Sequence, residues 1–377
     1  MSDVYKKTTT ASYGGRIKKS FVAVLLGIAL FIGSFFVLFW NEGRVDLSKI
    51  AKTATPIESS VVSDNPELQK ELVVTQGLVT SPGQLGDSMF LIRGDYLVVE
   101  RVSEMYAWVE KETSTRKKNL GGSETKETTY EYVKEWVDDV PASEKFYQSQ
   151  SYYNPTKQID SQTMTVSKAS LGQYQLVPSQ VDFPEADQIG LSASNVDLPS
   201  DMTFIGNDYL YRGGDYNNPE VGDLRVSYQV VVADQEMTVF GALNGQNISA
   251  YTNDDGDSLY RLFYQDAEGA VALMHQEYTR SVWLLRLIGF LMMWIGMLAM
   301  LRPITVFLDV VPIFGSISAI GFALVTFPVA VVLSLLTIIL SVLFNNIVIV
   351  MIAAIVALVI AFFLLLKRNK KTAPSAA

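Results

Sequence analysis

The residue types that carry most enzyme chemistry are sparse in this sequence. It has no cysteine, which excludes disulfides, thiol nucleophiles and cysteine-ligated zinc or iron–sulfur sites. Its one histidine is His275, so a multi-histidine metal site cannot form, and a half-exposed, pH-responsive side chain is the ordinary role of such a residue. No HxxxH or GxSxG motif occurs. We therefore expect a non-enzymatic protein with no catalytic residues, no cofactor and no metal.

Two acidic patterns remain as candidate sites. TNDDGD, residues 252–257, has the acids of a calcium loop but not their spacing, so a hairpin turn is the favoured interpretation. Asp309 is the only charged residue between Ile304 and Leu366. Acids inside membrane segments are functional candidates by default. At an interfacial position near Arg302, however, a charged Asp309 would cost little free energy and would need no functional role. Both interpretations of Asp309 stay open.

Long apolar segments predict that membrane helices position these residues. The uncharged run 21–40 is twenty residues long, and at about 1.5 Å per residue it reaches across roughly one hydrocarbon core. It ends in Phe-Trp-Asn-Glu-Gly-Arg, without the small-residue site of a cleaved signal, so we expect a retained anchor. Further spans are predicted at 282–301, 317–343 and 347–366, with 302–316 as an interfacial or re-entrant connection.

The distribution of charge predicts the sides of the membrane. Basic residues cluster in the tails 1–20 and 367–377, and the positive-inside rule places both tails in the cytoplasm when the number of spans is four. The segment 41–281 then lies outside the cytoplasm. The chain has a net charge of −9 and most of its acids lie in that segment. An acidic domain repels nucleic acid and anionic lipid, so neither is an expected partner of the domain.

The segment 41–281 has the pattern of antiparallel strands. LRVSYQVVV, residues 224–232, alternates between an apolar face and a face that carries Arg225. The aromatic stretches 97–110 and 128–137 flank a polar insert, which predicts a long hairpin with an exposed tip at Gly121-Gly122. Their aromatic side chains could stack a ligand, but packing across strands requires none and is the favoured interpretation.

These patterns together give a fold class. From about Glu268 the alternation changes to a helical period, which predicts a helix that continues into the second span. We expect a membrane protein with four transmembrane α-helices, one N-terminal and three C-terminal, plus a large β-rich α+β extracytoplasmic domain.

The stretch PEVGDLRVSY contains the most specific candidate residue of the domain. Pro219 cannot donate to a strand ladder and should mark the strand entrance, with a bend at Gly222-Asp223. Arg225 follows, and its guanidinium could pair with a carboxylate of this domain or of a partner. The alternative is a solvated surface arginine that contributes little.

Five motifs occur in one order along the chain: FWNEGR (39–44), EMYAWVE (104–110), YEYVKEW (130–136), NPEVGDLRVSYQ (218–229) and LDVVPIFG (308–315). With the apolar C-terminal part, they resemble the transmembrane protein 43 family, also called LUMA. The resemblance implies four spans, a large lumenal domain after the first span, self-association and a role in organising membrane-protein complexes. It implies no catalytic site. The candidate interaction positions are Glu42, Arg44, Arg225 and Asp309.

The predicted spans, the charge distribution and the family resemblance together indicate a location and a function. A eukaryotic member would lie in the endoplasmic reticulum and inner nuclear membrane with a lumenal domain, and a bacterial member in the inner membrane with a periplasmic domain. The leading interpretation is a non-enzymatic multi-pass scaffold that binds itself, other membrane proteins and the lipid bilayer, but no nucleic acid. Small residues such as Gly27, Gly33, Gly289 and Gly296 would let helices approach closely. The alternatives are a transporter or small channel that uses Asp309 and the 303–316 connection, and a membrane-embedded hydrolase.

Overall fold

The computed structural model describes residues 3–310 and 312–345. They divide into two compact units. Among the described residues, the first unit contains 3–7, 46–115 and 127–277, and the second contains 8–45, 116–126, 278–310 and 312–345. The first holds most of the strands and the second most of the helical residues.

The helices and strands follow one another in an order that agrees with the predicted α+β class. The helices are α1 (Tyr13–Glu42), α2 (Leu47–Ala51), α3 (Ala267–Met300), α4 (Arg302–Leu308) and α5 (Pro312–Asn345). The strands are β1 (Asp3–Ala11), β2 (Thr55–Pro56), β3 (Leu72–Thr80), β4 (Tyr96–Lys118), β5 (Glu124–Val137), β6 (Gln162–Thr165), β7 (Ala169–Leu171), β8 (Tyr174–Leu176), β9 (Asp187–Gln188), β10 (Thr203–Ile205), β11 (Tyr209–Arg212), β12 (Leu224–Val232), β13 (Gln235–Asn244), β14 (Asn247–Ser249), β15 (Tyr251–Thr252), β16 (Ser258–Leu259) and β17 (Arg261–Phe263).

Within the described residues, three helical segments are long and apolar enough to cross a membrane: Tyr13–Ala51, Ala267–Met300 and Ala319–Phe344. One is N-terminal and two are C-terminal, so the predicted count of four is not confirmed. The predicted fourth span, 347–366, and the tail 367–377 lie outside the described residues. The start of α3 at Ala267 confirms the predicted helix that leads into the second span.

Helix boundaries at the basic end of α1 differ from the prediction for local reasons. α1 begins at Tyr13 rather than at 21, because Ser12 caps it and its Oγ accepts a hydrogen bond from Gly15 N at 3.2 Å.

The predicted connection 302–316 contains α4 and the first turn of α5. Each of these helices has a proline in its first two positions, where the missing N–H costs nothing.

The strands form two larger sheets and one small one. An eight-stranded sheet has the order β1-β5-β4-β12-β11-β10, with β6 paired to β4 and β9 paired to β12. A seven-stranded sheet has the order β17-β13-β14-β8-β7-β3-β2, with an additional pairing of β13 and β3. Leu97 and Val231 of the first sheet share a core with Val79 and Val239 of the second. The apolar sets of the alternating strands therefore meet, which stabilises a β-rich domain.

The register of β12 is the one that its sequence predicts. Arg225 lies opposite Glu104 on β4, and Val226 lies opposite Ser103. Val226 and Tyr228 are fully buried, whereas the Arg225 side chain is 18% exposed. Gly222 has a φ of +105°, a conformation that favours glycine, and it makes the predicted bend before the strand.

The N-terminal segment is not the separate tail that was predicted. The β1 strand forms the edge of the eight-stranded sheet, next to β5. The Tyr5 ring lies edge-on to Tyr132 and Tyr152, with centroids 5.9 and 6.1 Å away, and Lys6 Nζ lies 2.8 Å from Glu127 Oε1. This pairing disagrees with an assignment of 1–20 and 41–281 to opposite sides of a membrane, and the sides of both segments stay predictions. Lysine is common both in cytoplasmic tails and on edge strands, where it prevents pairing with other chains. The charge of this segment alone therefore did not distinguish a tail from an edge strand.

Candidate functional site

Asp309 lies at the C-terminal end of α4 inside a cluster of opposite charges. It is 1% exposed and forms an ion pair with Arg16, near the start of α1. Lys118 Nζ lies 2.7 Å from the other carboxylate oxygen. A buried carboxylate stays charged only when it is paired, so these two cations explain how the fold accommodates Asp309. The ion-pair partners of its carboxylate are therefore Arg16 and Lys118.

The turn between β4 and β5 completes this cluster. Arg16 Nη1 donates to the carbonyl oxygen of Gly122 at 2.5 Å, and Gly121 N donates to the carbonyl oxygen of Val310 at 3.1 Å. Gly121 and Gly122 have φ values of +81° and +79°, which explains the glycine pair. Gly122 is buried, so the predicted exposed tip is in fact partly enclosed. The pattern of a turn predicts its conformation but not what it contacts.

These contacts bear on the predicted topology. Arg16 and the turn residues 116–126 lie at the same end of α1, whereas the charge-based assignment puts them on opposite sides of a membrane. The strand β1 gives the same result from separate contacts. The membrane sides of all segments stay predictions.

The FWNEGR motif attaches the opposite end of α1 to α3. Glu42 accepts two hydrogen bonds from Arg286, from Nε at 2.8 Å and from Nη2 at 2.7 Å, and its side chain is 5% exposed. Arg44 Nη1 donates to Ser281 Oγ at 2.7 Å. A bidentate arginine–carboxylate pair fixes both distance and orientation. Glu42 and Arg44 thus hold two helices of the same chain together.

The glycines of α1 and α3 lie where these two helices of the same chain contact each other. A Cβ atom at Gly27 would lie 2.7 Å from the carbonyl oxygen of Gly296, and one at Gly289 would lie 2.6 Å from the Leu38 side chain. Close approach of backbones is the usual reason for small residues in membrane helices. At Gly27, Gly289 and Gly296, the helices that approach closely are α1 and α3 of one protein, rather than helices of two copies.

Arg225 lies among aromatic rings on the eight-stranded sheet. Its Cζ is 4.7 Å from the ring centroid of Trp136 and 4.6 Å from that of Tyr209. Its Nε donates to Glu104 Oε2 at 2.7 Å. Of the interpretations left open, the geometry agrees with a carboxylate partner inside the domain rather than a solvated arginine, and the guanidinium also makes two cation–π contacts.

The rings around Arg225 form a continuous, half-buried patch. Trp136 lies 5.2 Å from Tyr106 and 6.2 Å from Tyr216, measured between ring centroids. We call Tyr106, Trp136, Tyr209, Tyr216 and Arg225 the Arg225 surface. Burial alone lowers the pKa of Arg225, but hydrogen bonds to Glu104 and Tyr216 outweigh it and raise the pKa above its ordinary value. The guanidinium therefore stays protonated and paired with Glu104 among half-buried rings.

A buried charge pair between β4 and the loop that precedes it was not predicted from the sequence. Arg101 Nη1 donates to both oxygens of Asp87 at 2.7 Å, and the two side chains are 5% and 0% exposed. The Tyr228 hydroxyl also donates to Asp87. Burial, followed by the bond to Asp87, raises the pKa of Tyr228 above its ordinary value. The missing signal was the strand register, which places Tyr228 opposite Arg101.

The remaining candidates have structural surroundings. His275 Nδ1 lies 3.0 Å from Asp46 Oδ2, and its side chain is 60% exposed. TNDDGD turns the chain between β15 and β16, where Asp257 N donates to Asn253 Oδ1 at 2.7 Å, as predicted for a turn. In the described part of the chain, no three acidic or histidine side chains are grouped so that they could hold a metal ion.

Comparison with known proteins gives a consistent set of relatives. The profile of the transmembrane protein 43 family matches residues 105–347. Human transmembrane protein 43 is 29% identical over 363 residues, which cover 90% of this chain and 89% of the human protein. The mouse protein is 28% identical over 350 residues, covering 87% and 86% of the two chains, and a Drosophila homolog is 24% identical over 299 residues, covering 76% and 78%. No solved structure matches.

Proposed function

The chain belongs to the transmembrane protein 43 family, and we propose that it is a non-enzymatic membrane scaffold that associates with itself and organises other membrane proteins. The apolar helices are the anchor in this proposal, and the β-rich domain supplies the binding surface. The observation that carries the proposal is the Arg225 surface.

The composition of the Arg225 surface is that of a protein interface. Tryptophan, tyrosine and arginine are the residue types that contribute most to binding energy between proteins. Here one tryptophan, three tyrosines and one arginine lie together and are half-buried. Because Glu104 and the rings already hold the guanidinium, little side-chain entropy is lost when a partner binds.

The proposal differs from the sequence-based one in how copies meet. Gly27 and Gly296 are occupied by contacts inside the chain, so they do not supply the surface for self-association. We place the contact between copies on the domain, at the Arg225 surface.

The transporter alternative loses its main candidate residue. Asp309 is enclosed by Arg16 and Lys118, and its carboxylate is 1% exposed. A pore needs polar groups that a passing ion can reach and leave. A carboxylate neutralised by two cations does not offer this.

Self-association can be measured with two differently tagged copies of the full chain co-expressed in one membrane. Isolation of one tag should recover the other. Trp136→Ala and Arg225→Ala should each lower the recovered fraction by about tenfold, the effect of losing a central interface residue. Arg212→Ala is the matched control, because Arg212 pairs with Asp201, two residues before β10, and lies outside the Arg225 surface. A recovered fraction that is the same for all three variants, each with an unchanged unfolding temperature, would contradict the proposed interface.

A further inference from the structure

A basic cavity lies at the end of α1 that carries Arg16. Its volume is about 270 Å³, and the ends of β1, β4 and β5 contribute to its lining together with α1 and α4. Five lining residues are basic and one is acidic: Arg16, Lys19, Arg116, Lys126, Arg302 and Glu124. Positive charge from four separate elements thus converges on one space.

The ion pairs around the cavity leave an excess of positive charge. Arg16 is paired with Asp309, and Glu124 lies 3.4 Å from Arg16 and 4.0 Å from Arg116. Among the described residues, neither Lys19 nor Arg302 has an ion-pair partner, and both are exposed. Like charges gathered in this way repel one another, and a bound anion removes that cost.

The position of the cavity indicates the source of the anion. Lys19 comes two residues before Phe21, where the apolar run of α1 starts, and Arg302 comes two residues after the last residue of α3. Both residues therefore stand at the boundary between apolar and polar sequence, the level at which phospholipid headgroups lie. Thr9 and Thr10 also line the cavity and can donate hydrogen bonds to phosphate oxygens.

We propose that this cavity binds the phosphate group of an anionic phospholipid headgroup. Buried Arg16, oriented by Asp309 and by the carbonyl oxygen of Gly122, forms its floor, and Lys19 and Arg302 supply the charge that is not neutralised inside the protein. The domain as a whole is acidic, but this cavity is locally basic, so the general repulsion of anionic lipid does not extend to it. The inference is independent of the scaffold function.

The test compares lipid retention by the full chain in nanodiscs that contain equal amounts of phosphatidylglycerol and phosphatidylcholine. Native mass spectrometry then counts the lipids that stay bound after the protein is released. The test variant is Lys19→Gln with Arg302→Gln. The control is Lys18→Gln with Arg280→Gln, which removes the same charge from exposed positions that do not line the cavity. Glycerol phosphate without acyl chains is titrated separately.

We expect wild type and control to retain phosphatidylglycerol in preference to phosphatidylcholine, and the test variant to lose about tenfold or more of that preference. Equal retention of the two lipids by wild type would overturn the proposal, and so would equal phosphatidylglycerol retention by test variant and control. Tight binding of glycerol phosphate with the same sensitivity to Lys19 and Arg302, without lipid retention, would assign the cavity to a soluble phosphate and refute the lipid.

Discussion

At the scale of single residues, buried charged side chains form ion pairs within each of the two units. Asp87, in the loop before β4, pairs with Arg101 on β4, and Asp309 is enclosed by Arg16 and Lys118. Each carboxylate has at least two polar partners, and removal of either member of a buried ion pair leaves an uncompensated charge away from water. These side chains fix the fold locally, while Arg225 combines a similar pairing with exposure on a surface.

Asp87→Asn tests the buried pair with Arg101. The amide cannot neutralise Arg101, so we expect the free energy of unfolding of the purified protein to fall by about 3–5 kcal/mol. Tyr228→Phe is the matched control, since it removes one hydrogen bond to the same carboxylate and should cost only about 1–2 kcal/mol. Denaturant titration in detergent measures both. A smaller loss for Asp87→Asn than for Tyr228→Phe would show that Arg101 finds another partner.

At the scale of elements, α1 and α3 are joined at several levels along their length. The Glu42–Arg286 pair lies near one end, and the Gly27–Gly296 contact lies further along. The first depends on charge and the second on the absence of side chains. Such close backbone packing tolerates no added atom, because the obstructing atom at Gly27 is a carbonyl oxygen of the neighbouring helix.

Gly27→Ala should therefore separate the two helices. A Cβ there would lie 2.7 Å from the Gly296 oxygen, and we expect a loss of about 1–3 kcal/mol, the usual cost of overpacking. Gly33→Ala is the control on the same helix, because its Cβ would meet only the flexible end of Met292 at 3.4 Å. Thermal unfolding in detergent should show a lower transition temperature for Gly27→Ala alone. Equal transition temperatures for the two variants would mean that the helices do not meet at Gly27.

Some of the helices and strands could be predicted from the sequence, and others could not. The alternation of LRVSYQVVV sufficed to orient β12, and apolar length sufficed to locate α1, α3 and α5, because both signals are local. The role of β1 and the surroundings of the hairpin turn were not predictable in the same way. They depend on contacts such as Arg16–Asp309, whose residues are 293 positions apart. The aromatic stripe was visible in the sequence, but its gathering around Arg225 required the strand order.

At the scale of the whole molecule, the main question is which segments share a side of the membrane. From the pairing of the N-terminal strand and the contacts of the β4–β5 turn, we expect residues 1–20 and the domain to lie on the same side. Three apolar helices remain the anchor within the described residues. Any assignment of sides must keep Arg16, Gly122 and Asp309 together.

Single cysteines at Ser12 and Ser123 test this constraint, since the wild-type chain has no cysteine. Ser12 precedes α1 and Ser123 lies in the turn that contacts Arg16. An impermeant thiol reagent applied to sealed right-side-out vesicles should treat both positions alike, labelling both or neither, and permeabilised vesicles provide the control for reactivity. The four-span topology predicts label at position 123 alone, and that result would contradict the contacts at Arg16.

The central claim, that the protein is a scaffold whose copies meet at the Arg225 surface, is tested most directly by photo-crosslinking in native membranes. A photoreactive phenylalanine analogue replaces Tyr216, which belongs to that surface, or Tyr153, which is 69% exposed outside it. With two tags in one membrane, we predict a crosslinked species that carries both tags from position 216 and none from position 153. A strict monomer from position 216 over a range of expression levels would contradict the claim.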